Sequence, residues 1–372
     1  MDEDLAAWLA LGRTAGVGPR SFARVLQAFP DPAAGLAAST AARRQAGLPE
    51  ALAKALEQPD WDGAKADLAW LAASPRHHLL RLGQAGYPSA LAQLADPPGL
   101  LFVVGDPAVL ARPQIAMVGS RNATAGGLDN AWEFARHLAA GGLAVTSGLA
   151  LGVDAAAHRG ALAAGGVTVA VMGTGPDRVY PAGHRELARE VAAAGALASE
   201  FPPGTPVRRE HFPRRNRIIS GLALGVLVVE AGRQSGSLVT ARHALEQDRE
   251  VFAIPGSIHN PLARGCHSLI RQGAKLVESA ADLLEELPPT ALAQAAGPAA
   301  EPSAGEAVGG PLDAEYQGLL EALGHDPVPL ETLLQRTGLT PEKVSSMLLI
   351  LELRGFVTAC PGGRYARLGQ KA

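Results

Sequence analysis

Five of the ten residues from Arg208 to Arg217 are arginine, opposed by one acid, Glu210, and the cluster runs directly into an apolar stretch that ends at Glu230. A guanidinium is planar, forked and permanently charged, so a group of them matches phosphate oxygens better than a small neutral substrate. Phe212-Pro-Arg-Arg-Asn-Arg217 reads as the start of a helix, with Pro213 suited to the first turn and Gly221 to the exit. The β-branched run Leu224–Val229 reads as a strand covered on both faces. A rigid sheet would then carry Arg214, Arg215 and Arg217, with Asn216 among them, at its rim. A solvated charged face would use the same residue types, but Phe212, Pro213 and the adjoining core run argue for a built site.

Polar, glycine-rich loops follow four of the strand-length apolar runs. They are Gly119-Ser120-Arg121-Asn122, Ser147-Gly148 through Asp154, Gly173-Thr-Gly175 leading to Tyr180-Pro181, and Glu230 through Gly236-Ser237. Glycine lets a ligand approach the backbone, serine donates hydrogen bonds, and a following helix N-terminus favours an anion. In an open parallel sheet ligands gather beyond the carboxyl ends of the strands. The four loops are therefore expected to converge on one crevice bordered by the arginines, although tight strand-to-helix turns use glycine in any case.

Several enzyme readings fail on detail. Gly173-Thr-Gly-Pro-Asp-Arg178 does not complete the G-x-G-x-x-G of a dinucleotide site, and no ribose-binding acid ends the strand before Ser147. The Gly232–Ser237 loop lacks the lysine of a phosphate-cradling NTPase loop. His158, His184, His211 and His243 show no metal-ligand spacing, so neither a metal nor another cofactor is expected. Asp154 is expected to cap the helix that follows it. Glu230 has the chemistry of an acid or base, but anchoring loop N–H groups is the preferred role.

The elements that must position these residues follow from periodicity. From Gln114 to about Leu284 strands are expected at Ile115–Val118, Leu143–Thr146, Val167–Met172, Ala196–Ser199, Leu224–Val229, Val251–Ile254 and Lys275–Val277. Helices are expected at Asn130–Ala140, Ala155–Ala164, Glu186–Ala194 and Leu238–Gln247. Such alternation implies right-handed crossovers and a doubly wound, mostly parallel Rossmann-like α/β sheet. Leu100–Val104 is expected as an added edge strand. Before it, short Ala/Leu-rich helices include Gly16-Val-Gly-Pro19, placed as in a helix-hairpin-helix that offers backbone N–H groups to a DNA phosphate.

After Leu287 a Pro/Ala/Gly/Glu stretch reads as a linker. Beyond it Glu315–Leu323, Leu330–Thr337 and Pro341–Arg354, followed by two strands around Pro361-Gly-Gly363, suggest a winged helix. The expected organisation is thus 1–75 helical, 76–287 α/β, 288–311 linker and 312–372 winged helix, in keeping with a chain of 372 residues. A net charge of −3 requires any polyanion affinity to be local. Two distant cysteines, Cys266 and Cys360, fit a reducing compartment. With no membrane-length apolar run and an acidic start, the expectation is a soluble cytoplasmic protein.

The chain resembles the DNA-processing protein A (DprA/Smf) family. The resemblance rests on Gly119-Ser-Arg121, Ser147 through His158, Gly173-Thr-Gly175 with Tyr180-Pro181, Ser199-Glu200, Phe212 through Leu222, Glu230 through Arg242, Ile254-Pro-Gly-Ser257 and Gly265 through Ala274. The flanks resemble the family's N-terminal helical and C-terminal winged-helix domains. The resemblance implies a non-enzymatic protein that binds single-stranded DNA, forms a homodimer and loads the RecA recombinase in natural transformation. Carried over by position, the strand-binding residues are Ser120, Arg121, Arg185 and Arg215-Asn216-Arg217, and the dimer contacts lie around Leu262, His267, Leu269 and Ile270. Many members have Asn where this chain has His184, and a lysine where it has Ala182 or Arg185. Arg214, Ser147, Gly148, Gly236 and Ser237 complete the expected DNA site.

By helical spacing Arg214, Arg217 and Gly221 share a face, whereas Arg215 lies among Ile218, Ile219 and Leu222. Few aromatics imply backbone contact and sequence-tolerant, salt-sensitive binding. The alternative is a nucleotide-processing, phosphoribohydrolase-like enzyme, against which the chain lacks P-G-G-x-G-T-x-x-E. A third reading makes the tail a transcriptional regulator, but Pro341–Arg354 carries only Lys343 and Arg354 as cations.

Overall fold

Strands β3 (Gln114–Val118) and β7 (Gly225–Val228) show why the central runs are apolar at every position. Ile115, Met117, Leu227 and Val229 point into one core, and Ala116, Val118, Val226 and Val228 into another. A strand buried on both faces has no polar side to spend on solvent. The computed structural model describes residues 3–295, 314–324, 326–353 and 356–368.

The other strands are β1 (His77–Arg81), β2 (Leu100–Gly105), β4 (Ala144–Ser147), β5 (Thr168–Val171), β6 (Ala196–Ser199), β8 (Glu250–Ala253) and β9 (Lys275–Leu276). Among the described residues they form a nine-stranded sheet in the order β1-β2-β6-β5-β4-β3-β7-β8-β9. From β6 to β9 every pairing is parallel, while β2 pairs antiparallel with both β6 and β1. Leu100–Gly105 is therefore not an edge strand. The edge is β1, whose sequence His-His-Leu-Leu-Arg is half polar because one flank faces solvent.

The N-terminal layer consists of α1 (Glu3–Arg13), α2 (Pro19–Ala28), α3 (Pro32–Ala37), α4 (Thr40–Gln45), α5 (Glu50–Ala55) and α6 (Trp61–Ala72). Its core of Trp8, Leu9, Leu11, Phe22, Val25, Leu52 and Leu56 packs on Leu100 and Phe102 of β2. Arg13 ties this layer down twice. It donates from Nε and Nη2 to Asp67, whose side chain is fully buried, and from Nη2 to the Pro203 carbonyl at 3.0 Å.

The α/β unit adds α7 (Ser89–Ala92), α8 (Ala125–Ala140), α9 (Val153–Ala163), α10 (Arg185–Ala194), α11 (His211–Leu222), α12 (Ser237–Glu246), α13 (Arg264–Arg271) and α14 (Ala280–Glu285). Helices α11, α12 and α13 cover one face of the sheet, α8 and α9 the other. α8 begins five residues before the expected Asn130 because the Thr124 hydroxyl accepts from Gly127 N and caps it.

The stretch expected to open a linker at Pro288 instead forms α15 (Pro289–Ala295), with Ala291 and Ala295 buried. The rest of that linker, 296–311, lies outside the described residues. The winged helix contains α16 (Ala314–Leu323), α17 (Leu330–Thr337) and α18 (Pro341–Leu353), with β10 (Val328–Pro329), β11 (Val357–Cys360) and β12 (Arg364–Arg367) in the order β10-β12-β11. Arg354, counted as one of the two cations of its last helix, also lies outside the described residues.

His158 on α9 is a buried titratable group outside the crevice described below. Its Nδ1 lies 2.7 Å from the Thr168 hydroxyl, which itself donates to the Val145 carbonyl, so Nδ1 carries the hydrogen. Burial pushes the imidazole down to about 3. A depressed histidine stabilises the fold fully above its unfolded value of about 6.5 and loses that contribution as pH falls towards 3. In His158→Gln, the decline of unfolding free energy between pH 6.5 and 3.5 should be shallower than in the native chain by up to about 1.4 kcal/mol per pH unit. Denaturant titrations at a series of pH values measure this, and parallel pH profiles would exclude His158 as a source of acid sensitivity.

Candidate nucleic-acid interface

The chain winds from β3 through β4, β5 and β6 to one side, then returns beside β3 with β7, β8 and β9. The order reverses at β3, and diverging connections leave a gap beyond the strand ends at such a point. A crevice of about 950 Å3 occupies it. Its walls are the loops after β3, β4 and β7 together with the first turns of α11. The loop after β5, expected as a fourth wall, reaches the lining at Tyr180, while Gly173 and Gly175 lie behind it. Its Gly173 backs the Phe212 ring, and its carbonyl accepts from His211 Nδ1 at 3.1 Å.

Arg215 forms the floor. Its side chain is almost fully buried, donating from Nη1 to the carbonyls of Gly148 (2.8 Å) and Val171 and from Nε to Asn216 Oδ1 (3.2 Å). Gly148 must be glycine here, since a Cβ would stand 2.5 Å from the guanidinium. Asp154, at the start of α9, accepts from the backbone N–H of Gly148 (3.1 Å) and Ala150 (3.3 Å). Burial pushes its carboxyl up, and the charge of Arg215 pulls it back. Burial likewise lowers Arg215, to about 10, which leaves it cationic at neutral pH.

Gly152 locks the loop after β4 to the loop after β3. It sits at φ +75° and its missing Cβ would lie 2.2 Å from the Ser120 carbonyl, which accepts from Val153 N. Leu149 is also held at positive φ (+57°), with its side chain buried beside Met172 and Leu187 and its carbonyl 3.0 Å from His184 Nδ1.

Free charge and stacking surface lie at the rim. Arg121 and Arg209 are exposed and make no ion pair among the described residues. The Phe212 ring lies 5.7 Å from the Arg121 guanidinium, 5.9 Å from that of Arg215 and 5.7 Å from the ring of Tyr180, which is 46 % exposed. Phe212, Asn216 and Ile219 fall at i, i+4 and i+7, so one face of α11 lines the crevice. Ser120, Gly236 and Ser237 border it as expected, with the positive end of α12 beside them. Phe212, Tyr180 and Arg209 are lining residues that were not among the expected site residues. The i, i+4 relation of Phe212 to Asn216 was the available signal.

Five expected residues do not line the crevice, the first being Gly148, which is buried behind the Arg215 guanidinium. Arg217 is buried on the opposite side of α11, paired with Glu200 and donating to the Asp96 carbonyl at 2.5 Å. Arg214 turns the same way and meets Glu200 at 2.9 Å. The two do share a face, but Glu200 draws it away from the crevice. Ser147 is fully buried, its hydroxyl donating to the Met117 carbonyl at 2.6 Å. Arg185 is exposed at the start of α10 and lines an adjoining groove.

Of the expected dimer residues, Leu269 packs into the chain's own core, and Leu262 lines the crevice beyond Gly232. His267 Nε2 lies 2.9 Å from the Gly256 carbonyl, and Ile270 is half-buried. Glu230 accepts from Thr124 N (2.9 Å), Thr124 Oγ1 (2.7 Å) and Asn260 Nδ2 (3.2 Å), the anchoring role expected for it.

The sequence profile described as DNA recombination-mediator protein A matches residues 78–288. The chain belongs to the DNA-processing protein A family. Profiles of the DprA-like N-terminal HHH domain and the DprA winged helix domain match residues 2–57 and 294–363. The Escherichia coli Protein Smf is 44 % identical over 82 % of this chain and 80 % of its own. The Bacillus subtilis DNA processing protein DprA is 45 % identical over 54 % of this chain and 68 % of its own. The X-ray structure of DprA from Streptococcus pneumoniae superposes with a TM-score of 0.66 at 35 % identity, covering 74 % of this chain and 96 % of that one. The DNA processing protein A of Helicobacter pylori, solved to describe its single-stranded DNA binding mode, gives 0.52 at 28 % identity over 57 % of this chain and 98 % of that one. No helix among the described residues is long and apolar enough to cross a membrane.

Proposed function

We propose that this chain holds single-stranded DNA by its sugar-phosphate backbone in the crevice at the sheet's reversal point, performs no chemistry on it, and presents it to RecA. The carrying observation is that the exposed Arg121 and the buried Arg215 both lie against the Phe212 ring, and that Arg209, exposed and without an ion pair among the described residues, lines the same crevice. Two free guanidiniums engage phosphates, and an aromatic face stacks on any base, which makes binding tolerant of sequence. The single-stranded DNA binding of the Helicobacter pylori relative supports the same reading. Protection of incoming strands during transformation, a cytoplasmic location and a homodimer built around His267 and Ile270 belong to this proposal.

The competing nucleotide-processing enzyme would need a carboxylate free to act. Glu230, the acid nearest the loop after β7, is occupied by three donors from two loops. No release of base from nucleoside monophosphates is therefore expected. Turnover would reverse the ranking.

The direct test is a titration with oligo-dT over a range of salt concentrations. Removing both rim charges in Arg121→Ala/Arg209→Ala should flatten the dependence of log K on log salt by about 1.4, from two phosphate contacts at about 0.7 each for a single strand. An unchanged slope would show that the strand lies elsewhere.

A further inference from the structure

Next to the crevice, across the segment 202–210, lies a second groove of about 510 Å3. Its floor is apolar, with Val104, Leu197 and Ala188, and its walls carry Arg178, Arg185 and Arg189. Val207 borders both depressions and is 45 % exposed, so one opens into the other over that side chain. The dividing ridge is fixed in place. Gly204 N donates to Asp177 Oδ1 at 2.8 Å, and Gly175 N donates to the Thr205 carbonyl at 3.1 Å.

The groove's charge is available to a ligand. Arg185 makes no ion pair among the described residues, and Arg178 stands 3.7 Å from its neighbour Asp177. Arg189 pairs with Glu186, but both side chains are more than 70 % exposed, where such pairs contribute little and exchange readily for phosphate. Arg185, Ala188, Arg189 and Ala192 fall at i, i+3, i+4 and i+7, which lays two cations one turn apart along a single face of α10. That turn advances about 6 Å, on the order of one nucleotide step. No aromatic side chain lines this groove, in contrast to the crevice, so its contacts would be to phosphate alone.

We propose that a single strand leaving the crevice crosses Val207 and continues along the arginine face of α10, so that the two grooves form one DNA track with a stacking section and a purely electrostatic section. This rests on the crevice reading above and extends it to Arg178 and Arg189, which lie outside the crevice.

The test compares the full chain with Arg178→Ala/Arg189→Ala, two changes at side chains 55 % and 76 % exposed. Oligo-dT of about six and of about sixteen nucleotides would be titrated at several salt concentrations. The native chain should bind the longer oligomer more tightly and with a steeper salt slope. The variant should bind the shorter one as the native chain does, and the longer one with a slope shallower by about 1.4. Val207→Asp, which sets a negative charge between the two depressions, should weaken binding of the longer oligomer more than that of the shorter one. An unchanged slope for the longer oligomer in the double variant, or no gain with length in the native chain, would overturn the track while leaving the crevice reading intact. Absence of binding to either oligomer by the native chain would remove both.

Discussion

Arg215→Ala is expected to lower the unfolding free energy by about 3–5 kcal/mol, because it leaves the buried carboxylate of Asp154 without its counter-charge. The carbonyls of Gly148 and Val171 lose their donor in the same step. Against a total stability of about 5–15 kcal/mol for an ordinary domain, this is a severe loss. The pH dependence gives the cause away. Burial already raises Asp154, and removing the guanidinium raises it further. A carboxyl whose folded value lies above its unfolded one penalises folding while it is charged, and the penalty fades as pH falls towards the unfolded value of about 3.8. The deficit of the variant relative to the native chain should therefore shrink on acidification, and urea titrations at neutral and mildly acidic pH would show it. A deficit independent of pH would mean that Arg215 acts by packing alone. Arg215→Lys keeps the charge but not the fork and should fall between the two.

Arg217→Ala should separate structure from binding. Glu200 is buried and keeps Arg214 as a partner, so the loss is expected near the lower end of the same range, about 3 kcal/mol. Adding Arg214→Ala would leave Glu200 uncompensated and cost more than the sum of the single changes. Because neither side chain faces the crevice, the salt slope of oligonucleotide binding by folded Arg217→Ala should equal that of the native chain. A flattened slope would place Arg217 back on the DNA.

That contrast between Arg215 and Arg217 marks how far the sequence could be read. The α/β alternation was legible because Ile115–Val118 and Leu224–Val229 are apolar at every position, a pattern that only a doubly covered strand requires. The position of the crevice followed from the glycine-rich loops at those strand ends. Helical spacing showed that Arg214 and Arg217 share a face, but spacing says nothing about what stands opposite that face. Glu200, from the end of β6, and Asp96, from the loop before β2, decide the matter, and they are distant in the chain. β1 was missed because His77 and His78 break the apolar run, and its absence made β2 look like an edge. Phe212 spoke for a built site but was not counted among the strand's contacts, because a single aromatic in an arginine cluster is equally suited to packing.

The union of the N-terminal helices with β2 has a practical consequence for dissection. Leu100 and Phe102 are covered by Trp8, Leu11 and Phe22. A fragment beginning at His77 would keep every strand yet leave that broad greasy flank naked to water, and proteins seldom tolerate such a surface without clumping. The first seventy residues are thus the outer wall of the sheet as much as an appendage to it.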